Sequence, residues 1–213
     1  YCNDKSKLLP RPISICGINP EEGTLRVVYR VAGEGTKEFS EMKAGDELEV
    51  MGPLGNGFTM KSEKAIIIGG GIGIPPMLEL AKQLDAEKTV VLGYRTSTFL
   101  KEEFEEVCDV KVATEDGSQG AKGTVIDAIE KYGVEGKVIY ACGPMPMLKA
   151  LAAYAEEHGM EAQISLEERM ACGIGACLGC ICKTKEKDHH TNVNNTRICK
   201  DGPVFDAKEV VFS

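Results

Sequence analysis

Between residues 65 and 166 the chain alternates short apolar runs with segments of helical periodicity, and this alternation restricts the possible fold more than any other feature. The apolar runs lack a polar face, as expected for strands buried on both sides of a parallel sheet. The predicted strands are residues 65–68, 89–92, 110–113, 138–141 and 162–166, and the predicted helices are residues 76–84, 100–107, 125–132 and 147–158. The pattern therefore predicts a small doubly wound α/β domain with a parallel sheet.

The segments on either side of this domain follow other patterns. Short β-type runs at residues 25–31 and 47–51, separated by Gly, Pro and acidic turns, predict an antiparallel β-barrel or a β-sandwich. The chain starts at Tyr1 rather than Met and enters a strand-like segment within a few residues, so we expect a further N-terminal segment before it. The tail is rich in cysteine, and its polar stretch 183–196 predicts an exposed loop. The predicted parts are a β-barrel domain at 1–60, an α/β domain at 61–167 and a loop-rich subdomain at 168–213.

Charge and hydropathy exclude two classes of partner. The formal net charge of -8 disfavours binding to a nucleic-acid backbone, which requires clustered Lys and Arg. The longest apolar stretches are far shorter than a membrane-spanning helix. We therefore expect a soluble, cytoplasmic protein that binds neither nucleic acid nor membrane.

The tail carries the strongest chemical signal. Cys172, Cys177 and Cys180 follow the spacing C-x4-C-x2-C, and Cys199 lies one loop further on. This is the plant-type spacing for the ligands of a two-iron, two-sulfur cluster, and the glycines between them allow amides to approach the sulfurs. A structural zinc site or a set of buried thiols is the alternative. Cys182 follows so soon after Cys180 that we expect its side chain to turn away from the irons.

A glycine-rich loop at residues 69–73 follows the first predicted strand and leads into a helix, as in dinucleotide-binding loops. Gly71 and Gly73 are the candidate contacts there, with a tight strand-to-helix turn as the alternative. Cys142 and Gly143 follow the fourth predicted strand at the sheet edge where such folds bind ligands. Cys142 either faces the nicotinamide or fills a small apolar space.

The barrel half contains a weaker indication of a cofactor site. It consists of a short segment before a strand and a turn at the start of a helix. The guanidinium of Arg11 offers a rigid fork for a diphosphate, and the amides at a helix start offer further donors. An exposed arginine beside a turn is the alternative. The loop at residues 52–57 either contacts a partner or reverses the chain. The candidate residues are Arg11, Pro12, Ile13, Ser14, Gly33, Gly35 and Thr36.

Taken in order, these motifs resemble the ferredoxin-reductase-like flavoproteins. Within that group, the runs at residues 168–177 (ERMACGIGAC) and 201–205 (DGPVF) look like those of the electron-transfer subunits of class 1B, NAD-dependent dihydroorotate dehydrogenases. The resemblance covers essentially the whole chain.

The resemblance implies FAD in the barrel, NAD on the α/β domain and a 2Fe-2S cluster in the tail. It places the cluster against an FMN-containing catalytic subunit, in a heterotetramer of two copies of each chain that serves pyrimidine biosynthesis. Dihydroorotate would be oxidised on that partner, and electrons would pass through the cluster and FAD to NAD. The contacts it implies are Arg11, Ser14, Gly35 and Thr36 for FAD, Gly71, Gly73, Cys142 and Gly143 for the nicotinamide nucleotide, and the four cysteines for iron.

The same motifs also permit other cofactors and other functions. Arg95, at the end of the second predicted strand, would suit the 2'-phosphate of NADP, whereas the resemblance favours NAD. A ferredoxin- or sulfide-linked NAD(P)H oxidoreductase would use the same modules. A redox sensor without catalytic activity would carry the same cofactors as a switch.

Overall fold

The computed structural model describes residues 9–187 and 192–212. Within these residues, the strands are β1 (Ile15–Asn19), β2 (Thr24–Val27), β3 (Ala65–Gly70), β4 (Lys88–Tyr94), β5 (Asp109–Thr114), β6 (Ala121–Lys122), β7 (Val138–Cys142), β8 (Glu161–Ser165), β9 (Ile181–Lys183), β10 (Asn195–Arg197) and β11 (Val204–Asp206). The helices are α1 (Glu34–Glu41), α2 (Ile74–Gln83), α3 (Lys101–Glu105), α4 (Val125–Tyr132) and α5 (Met145–Glu157), and a 3-10 turn, Gly71–Gly73, precedes α2. None of these helices is long and apolar enough to cross a membrane.

Seven of the described strands form one sheet in the order β11-β8-β7-β3-β4-β5-β6. The strands β8, β7, β3, β4 and β5 are parallel, whereas β11 pairs antiparallel to β8 at the edge. The direction of winding reverses between β3 and β7. The carboxyl ends of these two strands therefore flank the crevice where open α/β sheets bind ligands.

The predicted doubly wound domain is confirmed, because each predicted strand and helix has an observed counterpart. All six residues of β3 are buried, and all five of β7 are buried as well, since helices cover both faces of the sheet. The helix α4 spans the predicted residues, with Thr124 as its N-cap and Gly133 in the left-handed region after it. The helix α5 begins two residues before the predicted start.

Two apolar layers enclose the sheet. One layer packs α2, α3 and the buried Cys16 of β1 against one face. The other packs α4 and α5 against the opposite face, and it also contains Cys180, Ile198, Cys199 and Phe205 from the tail. The tail and the α/β domain therefore share one continuous core.

The barrel half contains less regular structure than predicted. The strands β1 and β2 form an antiparallel hairpin, and β2 ends four residues before the predicted strand end at residue 31. Residues 47–51, predicted as a strand, pair with no strand within residues 9–187 and 192–212, and Val50 is 76% exposed. The predicted strand is therefore not observed in the described part of the chain.

The tail contains short strands that the sequence pattern did not reveal. The strands β9 and β10 pair as a hairpin, and β11 extends the main sheet. The predicted exposed loop at residues 183–196 lies between β9 and β10, and residues 188–191 within it are outside the described part of the chain. The described residues 185–187 and 192–194 are exposed.

Candidate functional site

The four predicted ligand cysteines lie together in two pairs. Cys177 lies close enough to Cys172 to lower the pKa of the Cys172 thiol, and Cys180 lies close enough to Cys199 to raise the pKa of the Cys199 thiol. Cys180 and Cys199 are buried, whereas Cys177 is exposed at the surface. The site therefore has one side in the core and one side open to solvent.

Backbone amides surround the cysteine sulfurs. The N–H of Gly175 donates to Sγ of Cys199 over 3.2 Å. The N–H of Ala176 donates to Sγ of Cys172 over 3.3 Å, and the N–H of Cys199 donates to Sγ of Cys180 over 3.4 Å. Such N–H to sulfur bonds stabilise thiolates and the negative charge of an iron–sulfur cluster.

The two pairs differ in their electrostatic surroundings. Hydrogen bonds from backbone N–H groups, that of Cys177 foremost, lower the pKa of Cys172 to about 6. Burial, together with the hydrogen bond to Cys180, raises the pKa of Cys199 to about 11. Cys172, on the surface side of the site, thus favours the thiolate form even without a metal. Cys199, on the buried side, would need the positive charge of bound iron to lose its proton.

The arrangement fits a two-iron cluster better than zinc. Each iron of such a cluster takes two protein ligands, as the paired cysteines would supply. In residues 9–187 and 192–212, no three Cys, His, Asp or Glu side chains converge on a single metal position. A structural zinc ion requires four ligands around one centre, which this pairing does not match.

An ion pair braces the turn that carries Cys199. Nε of Arg197 donates to Asp201 over 2.8 Å, and Nη2 donates to the other carboxylate oxygen over 2.9 Å. The guanidinium holds the pKa of Asp201 at about 2, well below its usual range. Nη1 of Arg197 also donates to the carbonyl of Gly175 over 3.4 Å, so one side chain connects both halves of the cysteine site.

Cys182 lies apart from the paired cysteines. It is in β9, opposite Thr196 of β10, and its half-buried side chain packs against the core shared by α4, α5 and the tail. Burial raises the pKa of its thiol to about 11. This placement supports its exclusion from the ligand set.

The glycine loop and the segment after β7 meet at the carboxyl ends of the two central strands. A Cβ added to Gly73 would lie 2.3 Å from the carbonyl oxygen of Cys142 and 2.6 Å from the amide of Gly143. Gly73 therefore allows the two segments to touch. Gly71 has a φ of +53° and nothing within 4 Å of an added Cβ, so it faces open space. Pro75 and Pro76 at the start of α2 have no N–H to donate, so the amides that could reach a diphosphate in this space are those of the glycine loop.

Cys142 occupies an enclosed position. Its side chain is 1% exposed and packs with the apolar layer on the α2 side of the sheet. Burial raises the pKa of the thiol to about 12, although a hydrogen bond from Ser165 opposes this rise. Its surroundings thus fit the packing role, while the adjacent Gly143 lies against Gly70 in the loop contact.

Four of the predicted flavin residues, Arg11, Gly33, Gly35 and Thr36, are brought together at the start of α1. The guanidinium of Arg11 lies over Gly35, where an added Cβ would approach Nε to 2.2 Å. The hydroxyl of Thr36 accepts from the amides of Ala32 and Gly33 and donates to the carbonyl of Gly33, fixing the turn. An arginine beside the free amides of a helix start fits a flavin diphosphate. Pro12 and Ser14 are exposed on the same segment, and Ile13 is half-buried.

Sequence reasoning missed a clamp between the barrel half and the α/β domain. The side chain of Gln163 in β8 accepts from the amide of Thr59 over 2.8 Å and donates to its carbonyl over 2.9 Å. The hydroxyl of Tyr140 accepts from the amide of Lys61 and donates to Thr59. A glutamine inside an otherwise apolar predicted strand was the available signal.

The fold and the paired cysteines define an NAD-binding oxidoreductase of the ferredoxin-reductase-like class with an iron–sulfur domain. Residues 67–153 match the oxidoreductase NAD-binding domain family. Residues 167–211 match the iron–sulfur cluster binding domain of dihydroorotate dehydrogenase B. A solved NADH-dependent reduced ferredoxin–NADP oxidoreductase, described for flavin-based electron bifurcation, aligns over 95% of this chain and 74% of its own, with a TM-score of 0.84 and 33% identity.

Among curated relatives, the electron transfer subunit of dihydroorotate dehydrogenase B (NAD(+)) from Caldanaerobacter subterraneus subsp. tengcongensis is 48% identical over 99% of this chain and 84% of its own length. Its counterpart from Fusobacterium nucleatum subsp. nucleatum is 45% identical over 97% of this chain and 82% of its own length. The chain belongs to the family of dihydroorotate dehydrogenase B electron-transfer subunits. It functions in electron transfer within an NAD-dependent oxidoreductase, with FAD, a 2Fe-2S cluster and NAD as cofactors.

Proposed function

We propose that this chain carries electrons from an FMN-containing catalytic subunit, where dihydroorotate is oxidised, through its 2Fe-2S cluster and FAD to NAD. A flavin, when bound, links the single-electron chemistry of a cluster to the hydride chemistry of a nicotinamide. Each cofactor has a matching set of residues in the chain. We assign iron binding to Cys172, Cys177, Cys180 and Cys199, flavin binding to Arg11, Pro12, Ile13, Ser14, Gly33, Gly35 and Thr36, and nucleotide binding to Gly71, Gly73, Gly143 and the backbone of Cys142, whose thiol is buried.

The observation that carries the proposal is the apolar surface around the open side of the cysteine site. Ile174 is 55% exposed and Leu178 is 58% exposed, on either side of the exposed Cys177. Exposed large apolar side chains clustered at one site indicate a protein contact. A catalytic subunit seated on this surface would bring its own cofactor next to the iron ligands, which is where a relay between subunits requires it.

Different segments of the chain bind the flavin and the nicotinamide nucleotide. Arg11 and the start of α1 hold the diphosphate of the flavin, while the glycine loop with Gly71 and Gly73 holds that of the nucleotide. The clamp at Gln163 and Tyr140 fixes the segment that joins these two regions. Such rigid support keeps the reacting groups in a productive orientation. We propose a heterotetramer of two copies of each chain, acting in the cytoplasm in pyrimidine biosynthesis.

A second candidate function is favoured by one observation. The NADH-dependent reduced ferredoxin–NADP oxidoreductase aligns over nearly the whole chain. Its identity of 33% is lower than the 48% of the dihydroorotate dehydrogenase subunit. A ferredoxin-linked oxidoreductase would exchange electrons with ferredoxin without a dihydroorotate-oxidising partner.

Reconstitution separates the two functions. When this chain is mixed with an FMN-bearing dihydroorotate dehydrogenase catalytic subunit, we expect a stable complex and NAD+ reduction that depends on dihydroorotate and on both chains. The measurements are light-scattering mass and NADH absorbance. Failure to associate, together with rapid NAD(P)H-dependent reduction of ferredoxin by this chain alone, would favour the second candidate. Rapid NADH-dependent dye reduction by the isolated chain would argue against a sensor without catalytic activity.

A further inference from the structure

The loop at residues 52–57, in the barrel half, contacts the turn that follows Cys199. Nδ2 of Asn56 donates to the carbonyl of Lys200 over 3.0 Å and to that of Asp201 over 3.1 Å. The backbone N–H of Asn56 donates to the carbonyl of Gly202 over 2.6 Å. One residue of the barrel half thus binds three successive carbonyls directly after a proposed iron ligand.

The same loop fits closely against both arms of the cysteine site. A Cβ added to Gly55 would lie 2.5 Å from the carbonyl oxygen of Gly202, so only glycine permits this approach. Next to Cys172, a Cβ added to Gly173 would lie 3.4 Å from Cδ1 of Leu54 in the loop and 3.3 Å from Cε of Met51, which directly precedes the loop. Contacts next to Cys172 and next to Cys199 therefore come from one short segment of the barrel half.

The turn that Asn56 binds is internally braced. The amides of Lys200 and Asp201 donate to the carbonyl of Arg197, whose guanidinium pairs with Asp201. A braced turn moves as a unit. The hydrogen bonds of Asn56 therefore set the position of Cys199 relative to the barrel half, where Arg11 and the start of α1 form the proposed flavin site.

We propose that Asn56 is a positioning residue that fixes the separation between the cluster and the flavin. This inference rests on the proposed function. In the reverse direction, NADH would supply a hydride, that is two electrons and a proton, to a bound flavin, and the two electrons would then cross singly to a bound cluster. The rate of that crossing falls steeply with distance, so a small displacement of the Cys199 turn slows it. Hydride transfer at the flavin depends on the α/β domain and does not require the contact at Asn56.

The test uses Asn56→Asp in the complete complex. The substitution keeps the shape of the side chain but replaces an N–H donor with an acceptor that faces two carbonyls. Asn194→Asp is the matched control, because its Nδ2 donates to a single carbonyl, that of Lys185, in another part of the tail. If Asn56→Asp folds poorly, Asn56→Ala removes the same donor without adding charge.

Two measurements decide the outcome. Amide hydrogen exchange at position 56, whose N–H donates to the carbonyl of Gly202, should become at least about tenfold faster in Asn56→Asp, because the side-chain hydrogen bonds that hold the loop against the turn are lost. In stopped-flow reduction by NADH, flavin bleaching should keep its rate while cluster reduction becomes about tenfold slower or more. Asn194→Asp should change neither measurement.

The proposal is overturned if Asn56→Asp leaves both hydrogen exchange and cluster reduction unchanged. It is equally overturned if flavin bleaching slows as much as cluster reduction, because the effect would then be general. Failure of the proposed function is recognised separately. A wild-type complex without iron or without dihydroorotate activity would contradict that function, while hydrogen exchange would still report on the contact at Asn56.

Discussion

Replacing Cys177 with alanine is expected to abolish electron exchange with the catalytic subunit while NADH-dependent dye reduction through FAD is partly retained. Cys177 is the exposed member of the first cysteine pair, and alanine leaves one iron with a single protein ligand. Dihydroorotate-dependent NAD+ reduction should fall by at least about 100-fold, because even the loss of an outer-shell partner of a metal site costs 10- to 100-fold. Steady-state assays of both activities and iron analysis check this.

Cys182→Ala is the matched control for Cys177→Ala. Cys182 lies two positions beyond Cys180, but it packs against the core and not into the paired site. This variant should keep its iron and both activities, with a loss of stability of about 1 kcal/mol from the removed sulfur. If Cys177→Ala lost both activities equally, a serial path through the cluster and then the flavin would be contradicted. If Cys182→Ala lost its iron, the ligand assignment would be wrong.

Replacing Arg11 with alanine is expected to weaken the binding of FAD by about ten- to 150-fold, as one charge-assisted hydrogen bond to the diphosphate is worth about 1.5 to 3 kcal/mol. The guanidinium lies over Gly35 at the start of α1, where the flavin diphosphate is proposed to bind. Flavin content after gel filtration and fluorescence titration with FAD measure the effect.

Arg11→Lys provides a graded comparison with the alanine variant. Lysine keeps the positive charge but loses the planar fork, so its affinity for FAD should lie between those of the wild type and Arg11→Ala. The iron content should stay unchanged in both variants, since the cysteine site lies in the tail. Full flavin occupancy in Arg11→Ala at low FAD concentration would count against this assignment.

The α/β domain was predictable because its determinants are local. Each residue of β3 is buried, so residues 65–68 appear in the sequence as an unbroken apolar run. Capping and stop signals, such as Thr124 before α4 and Gly133 after it, lie within a few residues of the helix ends that they define. The spacing of the cysteines likewise reflects one local loop around a cluster.

Features that depend on distant contacts were not predictable. The strand β11 has three residues, too few to show an alternating pattern, and it exists because it pairs with β8. Asn56 binds carbonyls 144 and 145 positions away, a contact that a single sequence does not reveal. The segment at residues 47–51 shows the converse case, since it has a β-type composition but forms no strand within residues 9–187 and 192–212.

The most direct test of the account is the cofactor content of the anaerobically purified chain, measured by visible absorption, electron paramagnetic resonance after reduction, and metal and flavin analysis. We expect about two iron atoms, two acid-labile sulfides and one FAD per chain, with the resonance of a reduced two-iron cluster. A colourless protein, or one that holds zinc in place of iron, would contradict it.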